Sequence, residues 1–236
     1  MKYETRLIAF VDFLGFKQMI KESETSERRT GEVYSAIRNI YEVLWDYLAN
    51  SPGDTTLRIT HFSDSIVLSC LFDEVEDVVL IMRHLRYIQQ CLAEEHSMLI
   101  RGGITIGDLI HDDQILMGPA MVEAYHMESK VALYPRIIVS DLAKQVWDKC
   151  TNILKVDTTP DNQFMVRDND NLWYIDYLND LDYNFSNDGE IMYDSIKDLI
   201  EMHIDDPDLH DKYQWLEDRF KLSNIYTRFN KLKSKI

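Results

Sequence analysis

Apolar and polar positions along this chain follow two periods, and each change of period marks a new element. Leu7 to Phe13 is almost wholly apolar and runs into Asp12-Phe13-Leu14-Gly15-Phe16, which predicts a short buried strand ending at an acid. Val33, Ile37, Ile40, Tyr41, Leu44 and Leu48 recur at helical spacing and predict a helix over about 32–50, stopped by Ser51-Pro52-Gly53-Asp54. Residues 57–70 read as two strands broken by Ser63-Asp64-Ser65, and Val75, Val78, Met82, Leu85 and Leu92 mark a second amphipathic helix. Leu99 to Gly107 (L-I-R-G-G-I-T-I-G) predicts a buried strand with little side-chain volume at its centre. Gly118-Pro119 opens a helix to about Lys130, followed by a strand over Tyr134–Ser140, and Ser140 caps a helix over Asp141–Trp147. Phe164–Val166 and Trp173–Tyr177 predict a hairpin around a polar turn. From Asn187 the pattern is helical, in segments Glu190–Met202 and Leu209 to the end, with Trp215, Phe220, Tyr226 and Phe229 read as packing residues.

This order predicts an α+β fold on a ferredoxin-like β-α-β-β-α-β skeleton. Four or five mainly antiparallel strands are covered by helices over residues 1–185, and a C-terminal helical extension covers 186–236. In that topology the first strand lies beside the hairpin of the second and third, so Asp12 comes next to Asp64.

A net charge of −16 over 236 residues disfavours nucleic acid as a partner. It leaves room for a nucleotide whose phosphates are neutralised locally by metal ions. No run approaches the roughly 18 apolar residues of a membrane helix, and the N-terminus enters a strand at once, unlike a signal peptide. Cys70, Cys91 and Cys150 lack C-x-x-C spacing and read as buried thiols, the expectation for a cytoplasmic protein.

Two neighbouring carboxylates repel, so one holds a proton or a cation sits between them. Oxygen ligands without His or Cys suit Mg²⁺ or Mn²⁺. Asp12 and Asp64 therefore read as a seat for metal ions and a nucleoside triphosphate, although Asp64 also suits an ordinary solvated turn.

F-V-D-F-L-G-F, F-S-D-S-I-V-L and R-G-G-I-T-I-G-D, followed by G-P-A-M-V-E-A-Y-H-M-E-S and Y-P-R-I-I-V-S, resemble in that order the class III nucleotidyl cyclase catalytic domain. The resemblance spans about residues 5 to 180, and the compact form and Y-P-R-I strand are similar to the small stand-alone pyrimidine cyclases of Pycsar antiphage systems. It implies conversion of a nucleoside triphosphate to a 3′,5′-cyclic nucleotide and pyrophosphate, with two Mg²⁺ or Mn²⁺ ions per site. It also implies a head-to-head homodimer with composite sites, and a downstream effector that senses the product in antiphage defence. Carried over by position, Asp12, Asp64 and the Phe13 carbonyl are the metal ligands. Phe13, Leu14, Gly15 and Phe16 wrap the triphosphate with main-chain N–H groups at a helix start.

The chain departs from the purine cyclases in two places. Their ribose-orienting Asn and transition-state Arg are replaced by Val122 and His126. Val122 cannot hold a ribose oxygen, which leaves His126, when protonated, and Lys130 one turn on as the candidate catalytic cations. A half-buried helix histidine and a solvated lysine are the plainer readings of those two. For the base, Thr60 stands where adenylyl cyclases carry Lys, and Ile115 where they carry Asp, which disfavours adenine; the resemblance to the stand-alone cyclases implies a pyrimidine, UTP or CTP. Arg101, before Gly102-Gly103, reads as a phosphate contact or, more plainly, as a strand arginine paired to an acid, and Arg136 as a structural arginine of the same kind. Two other readings use the same sheet: a nucleotide-binding sensor that has lost turnover, and a palm-type oligonucleotide synthase. The latter lacks its G-G-D-E-F hairpin, since F-S-D-S stands there.

Overall fold

Strand β1 (Glu4–Phe13) pairs antiparallel with β3 (Ser65–Leu71) on one side and β4 (Ile100–His111) on the other. The computed structural model describes residues 2–50, 55–156, 163–179 and 188–233, with the side chains of 45–50, 188, 232 and 233 left aside. The predicted helix stop at 51–54 and the predicted boundary at 185/186 both lie outside the described residues.

Beyond β3 lies β2 (Arg58–Phe62), and beyond β4 lie β6 (Ile137–Val139), β8 (Trp173–Ile175) and β7 (Met165–Arg167), giving the order β2-β3-β1-β4-β6-β8-β7. The short β5 (Leu116–Met117) folds back on the end of β4. The sheet is thus wider than the four or five strands expected, and it is mixed, because β6 runs parallel to β4. A parallel pair needs a crossover. It is supplied by α4 (Pro119–His126) and a π-helical turn (Met127–Val131).

The other helices are α1 (Phe16–Ser23), α2 (Glu27–Asn50), α3 (Val75–His96), α5 (Asp141–Leu154), α6 (Asp188–His203), α7 (His210–Leu222) and α8 (Asn224–Lys233). Helix α2 begins six residues before the apolar stripe does. Where one terminal helix is expected from Leu209, Ser223 leaves helical geometry (φ −72°, ψ 157°), its Oγ accepts from the Tyr226 amide at 3.1 Å, and the helix restarts.

Successive strand residues face opposite sides. Leu7, Ala9, Val11 and Phe13 enter the main core under α2, α3 and α5, whereas Ile8 and Phe10 face Ala120 and Ala124 of α4. Helix α4 lies directly on the sheet because β4 is stripped of side chains there. A Cβ on Gly103 would stand 2.4 Å from Met127 Cβ and 2.9 Å from the Ala124 carbonyl.

The C-terminal helices close the far end of the sheet. Met192, Tyr193, Ile196, Leu216, Phe220 and Phe229 share one apolar cluster with Ile138, Leu99 and Leu14. Arg136, wholly buried, binds Asp168 and Asp170, and Asp168 also receives the Trp215 indole N–H at 2.7 Å and Arg219 at 2.6 Å. The extension is therefore packed into the same body as the sheet. No helix among the described residues is long and apolar enough to cross a membrane.

Candidate functional site

Asp12, the penultimate residue of β1, is the cross-strand partner of Ser65 on β3 and of Arg101 on β4. Phe62 pairs with Ser65, so the β2–β3 connection is a two-residue turn of Ser63 and Asp64, with Ser63 in the left-handed region at φ 57°. So tight a turn leaves Asp64 nowhere to go but the end of β1. Ser65 Oγ donates to Asp12 Oδ1 at 3.1 Å and ties the turn to the strand.

The Asp12 carboxyl is pushed up to about 7, first by burial and then by the neighbouring charges of Asp64 and Glu128; the Ser65 bond works the other way. Glu128 is a third acid at this end of the sheet, buried on the π-turn, with Oε1 2.8 Å from Arg101 Nε. Burial raises its carboxyl, Arg101 opposes that, and Asp64 adds to it. Arg101 is thus paired to an acid as expected. Which acid was not legible, because the pairing depends on the π-turn.

Asp12 and Asp64 have no Lys or Arg ion pair among the described residues, and with Asp12 protonated the two carboxyls share a hydrogen bond. Hard oxygen donors fit Mg²⁺ or Mn²⁺. No group of three or more His, Cys, Asp or Glu among the described residues is arranged as a metal site. Phe13 follows Asp12 as the last residue of β1, so its backbone carbonyl lies at the same end of the strand as the two aspartates. Such a set suits Mg²⁺, which takes one or two carboxylates together with water and phosphate oxygens.

Residues 13–16 offer fewer free amides than expected. Leu14 N–H donates to the Leu99 carbonyl at 2.8 Å, and the Leu14 side chain is buried in the C-terminal cluster, so this residue offers no amide to a phosphate. Gly15, at φ 80°, turns the chain into α1. The first N–H groups of that helix, including that of Phe16, have no intrahelical partner and suit an anion.

Thr60 lies on the same sheet face, roughly 12 Å from Asp12 by strand spacing. Its hydroxyl meets His111 Nε2 at 2.9 Å, and His111 Nδ1 meets Ser69 Oγ at 2.8 Å, which accepts from Arg6 Nε at 3.0 Å. Burial and the charges of Arg6 and Arg58 hold His111 down at about 4, so it is neutral at pH 7. Thr60 is consequently one end of an internal network as well as a candidate reader of a base. His126 and Lys130 point to solvent from α4 and the π-turn, and neither bonds to Asp12 or Asp64. The chain by itself brings Asp12, Asp64 and Phe13 together; it does not bring His126, Lys130 or Thr60 to them.

No family model matches the sequence, and no curated protein does. Solved structures do match. The monomeric guanylyl cyclase domain of the RhoGC fusion protein from the aquatic fungus Blastocladiella emersonii superposes with a TM-score of 0.52 at 13% identity, over 74% of this chain and 96% of that one. The fold is the nucleotidyl cyclase palm. The adenylyl cyclase CyaB from P. aeruginosa (TM-score 0.46, 13% identity, 74% of this chain and 95% of that one) is also similar. So is the adenylate/guanylate cyclase/hydrolase from Silicibacter pomeroyi (TM-score 0.45, 16% identity, 75% and 99%). At such identities the likeness establishes the fold alone.

Proposed function

We propose that the chain is a nucleotidyl cyclase that converts a pyrimidine nucleoside triphosphate, UTP or CTP, to its 3′,5′-cyclic monophosphate and pyrophosphate. The observation that carries the proposal is the meeting of Asp12 and Asp64 on a cyclase palm, with the Asp12 carboxyl raised by burial and by the neighbouring charges of Asp64 and Glu128. These two aspartates and the Phe13 carbonyl would hold two Mg²⁺ or Mn²⁺ ions. Such ions acidify the ribose 3′-hydroxyl and neutralise charge on the α-phosphate. With its proton passed to water, the 3′-oxygen would attack the α-phosphorus as the bond to the α,β-bridging oxygen breaks, and pyrophosphate would leave. The Gly15–Phe16 turn orients the leaving phosphates at the start of α1.

His126 and Lys130 enter as the cations that a second copy lends to the site. The face that carries them also exposes Phe62, Ile115, Met117, Val122 and Tyr125, an apolar surface suited to a two-fold homodimer. Thr60 and Ile115, in place of the Lys and Asp that read adenine, argue against ATP, and the choice of a pyrimidine rests on the sequence resemblance to the stand-alone cyclases. The role as an antiphage signal for a downstream effector in the cytoplasm rests on the sequence resemblance to the stand-alone cyclases.

Pyrophosphate release from each of the four common triphosphates with Mn²⁺ tests the reading. Release from UTP or CTP that vanishes in Asp64→Ala supports it; release that survives the substitution overturns it. Val122, 69% exposed where a ribose-binding side chain is expected, favours one alternative, a nucleotide sensor. A sensor shows nucleotide-dependent stabilisation and no product.

A further inference from the structure

Arg101 stands directly opposite Asp12 in the β1–β4 ladder. Residues so paired send their side chains to one face, with Cβ atoms about 5 Å apart. A guanidinium at that position is the natural partner of the Asp12 carboxylate, through a charge-assisted hydrogen bond. The structure places it elsewhere: Arg101 Nε lies 2.8 Å from Glu128 Oε1, and Arg101 has no ion pair to Asp12 or Asp64 among the described residues.

The diversion is built into the backbone. Glu128 belongs to the π-helical turn Met127–Val131, and this turn comes down on Gly103, where a Cβ would stand 3.2 Å from the Glu128 nitrogen. The widened turn carries the Glu128 carboxylate under the sheet, where its side chain is only 4% exposed, while Arg101 keeps 25% exposure and room to swing. Were the Glu128 charge absent, the nearest acids left to Arg101 would be Asp12 and Asp64. An internal cation on those two carboxylates would compete with any divalent ion.

We propose that Glu128 is a positioning residue that holds the Arg101 guanidinium away from Asp12 and Asp64, and so sets the affinity of that pair for a divalent cation. The inference rests on the metal reading of the two aspartates, and its test reads binding and not turnover. Mn²⁺ affinity is measured by electron paramagnetic resonance of free Mn²⁺ on the full-length, metal-free chain. Glu128→Gln frees Arg101 and is expected to weaken Mn²⁺ binding about tenfold or more. Arg101→Gln leaves the Glu128 charge uncompensated beside the two aspartates and is expected to tighten it. The double variant is expected to return to the wild-type affinity or better.

A merely structural ion pair gives a different pattern, in which both single variants bind more weakly and the double recovers nothing; that outcome overturns the inference. If Glu128→Gln does not fold, Arg101→Gln decides alone, since unchanged or weaker binding contradicts the proposal. Wild-type protein that binds no Mn²⁺, or binding that survives Asp12→Asn together with Asp64→Asn, removes the metal reading and this inference with it. Wild-type binding abolished by those two substitutions but indifferent to Glu128→Gln removes this inference alone.

Discussion

Ser65 Oγ donates to Asp12 Oδ1 at 3.1 Å, across the β1–β3 ladder and one residue beyond Asp64. This bond makes the strand end and the hairpin turn a single unit. It satisfies one carboxylate oxygen without neutralising its charge, so repulsion from Asp64 persists. Fold stability and cation affinity are opposed at this point.

The contribution of Asp12 to stability should therefore fall as the metal-free protein is taken from acid to neutral pH. The folded Asp12 holds its proton to about 7, against 3.8 in the unfolded chain, so the native state binds the proton more tightly. The stabilisation is complete below the unfolded value and is lost as pH rises through the folded one. A divalent ion displaces that proton, so the gain in Tm on adding Mn²⁺ should grow from pH 5 to pH 8. Thermal melts with Mn²⁺ or with chelator at several pH values check this; a gain that does not vary with pH contradicts it.

Asp12→Asn removes the repulsion and the metal ligand together. Metal-free protein at pH 8 should gain about 1 kcal/mol, a figure discounted from the pKa shift because Asp12 is only partly buried. The Mn²⁺-dependent rise in Tm should disappear. Urea titrations with and without the ion show whether both changes occur, and a less stable, still metal-responsive variant would speak against the site.

Gly103→Ala should be costly, by about 1–3 kcal/mol or more, because its Cβ would meet the Met127 Cβ at 2.4 Å. Gly107→Ala, where the new Cβ meets that of Ala120 at 3.2 Å, should cost less. Chemical denaturation of the two variants gives the order, and equal values would mean that α4 does not rest on β4 as described.

Trp215→Phe deletes the 2.7 Å bond to Asp168 while keeping an aromatic ring against Tyr134, and should cost about 1.5–3 kcal/mol. Arg136→Met should cost more, about 3–5 kcal/mol, because it strips the buried Asp168 of a principal cation. A single unfolding transition in both variants is expected, since the terminal helices share one cluster with Leu14 and Leu99. Two separate transitions would show that the extension folds by itself.

The parts of this molecule that were legible beforehand are those specified by neighbours in sequence. The apolar run ending at Asp12 and the Ser-Asp-Ser break are local patterns, and together with the ferredoxin-like topology they bring the two aspartates together. Trp215, Phe220 and Phe229 are buried, as their helical spacing implied. The width of the sheet was hidden because strand pairing is non-local, and β6, β7 and β8 contribute only three residues each. Helix α1 is only eight residues long, and its apolar positions Phe16, Met19 and Ile20 are too few to set a period by themselves. The position of Glu128 depends on a π-turn that no periodicity announces. The Leu14 amide looked free for phosphate until its long-range bond to Leu99 was known.

The most direct measurement is to incubate the purified chain with Mn²⁺ and UTP, CTP, GTP or ATP separately, and to identify the products by mass. A single 3′,5′-cyclic pyrimidine monophosphate, absent from Asp12→Ala and Asp64→Ala, is the result predicted here. No cyclic product from any of the four, or one that persists in either variant, would contradict the account.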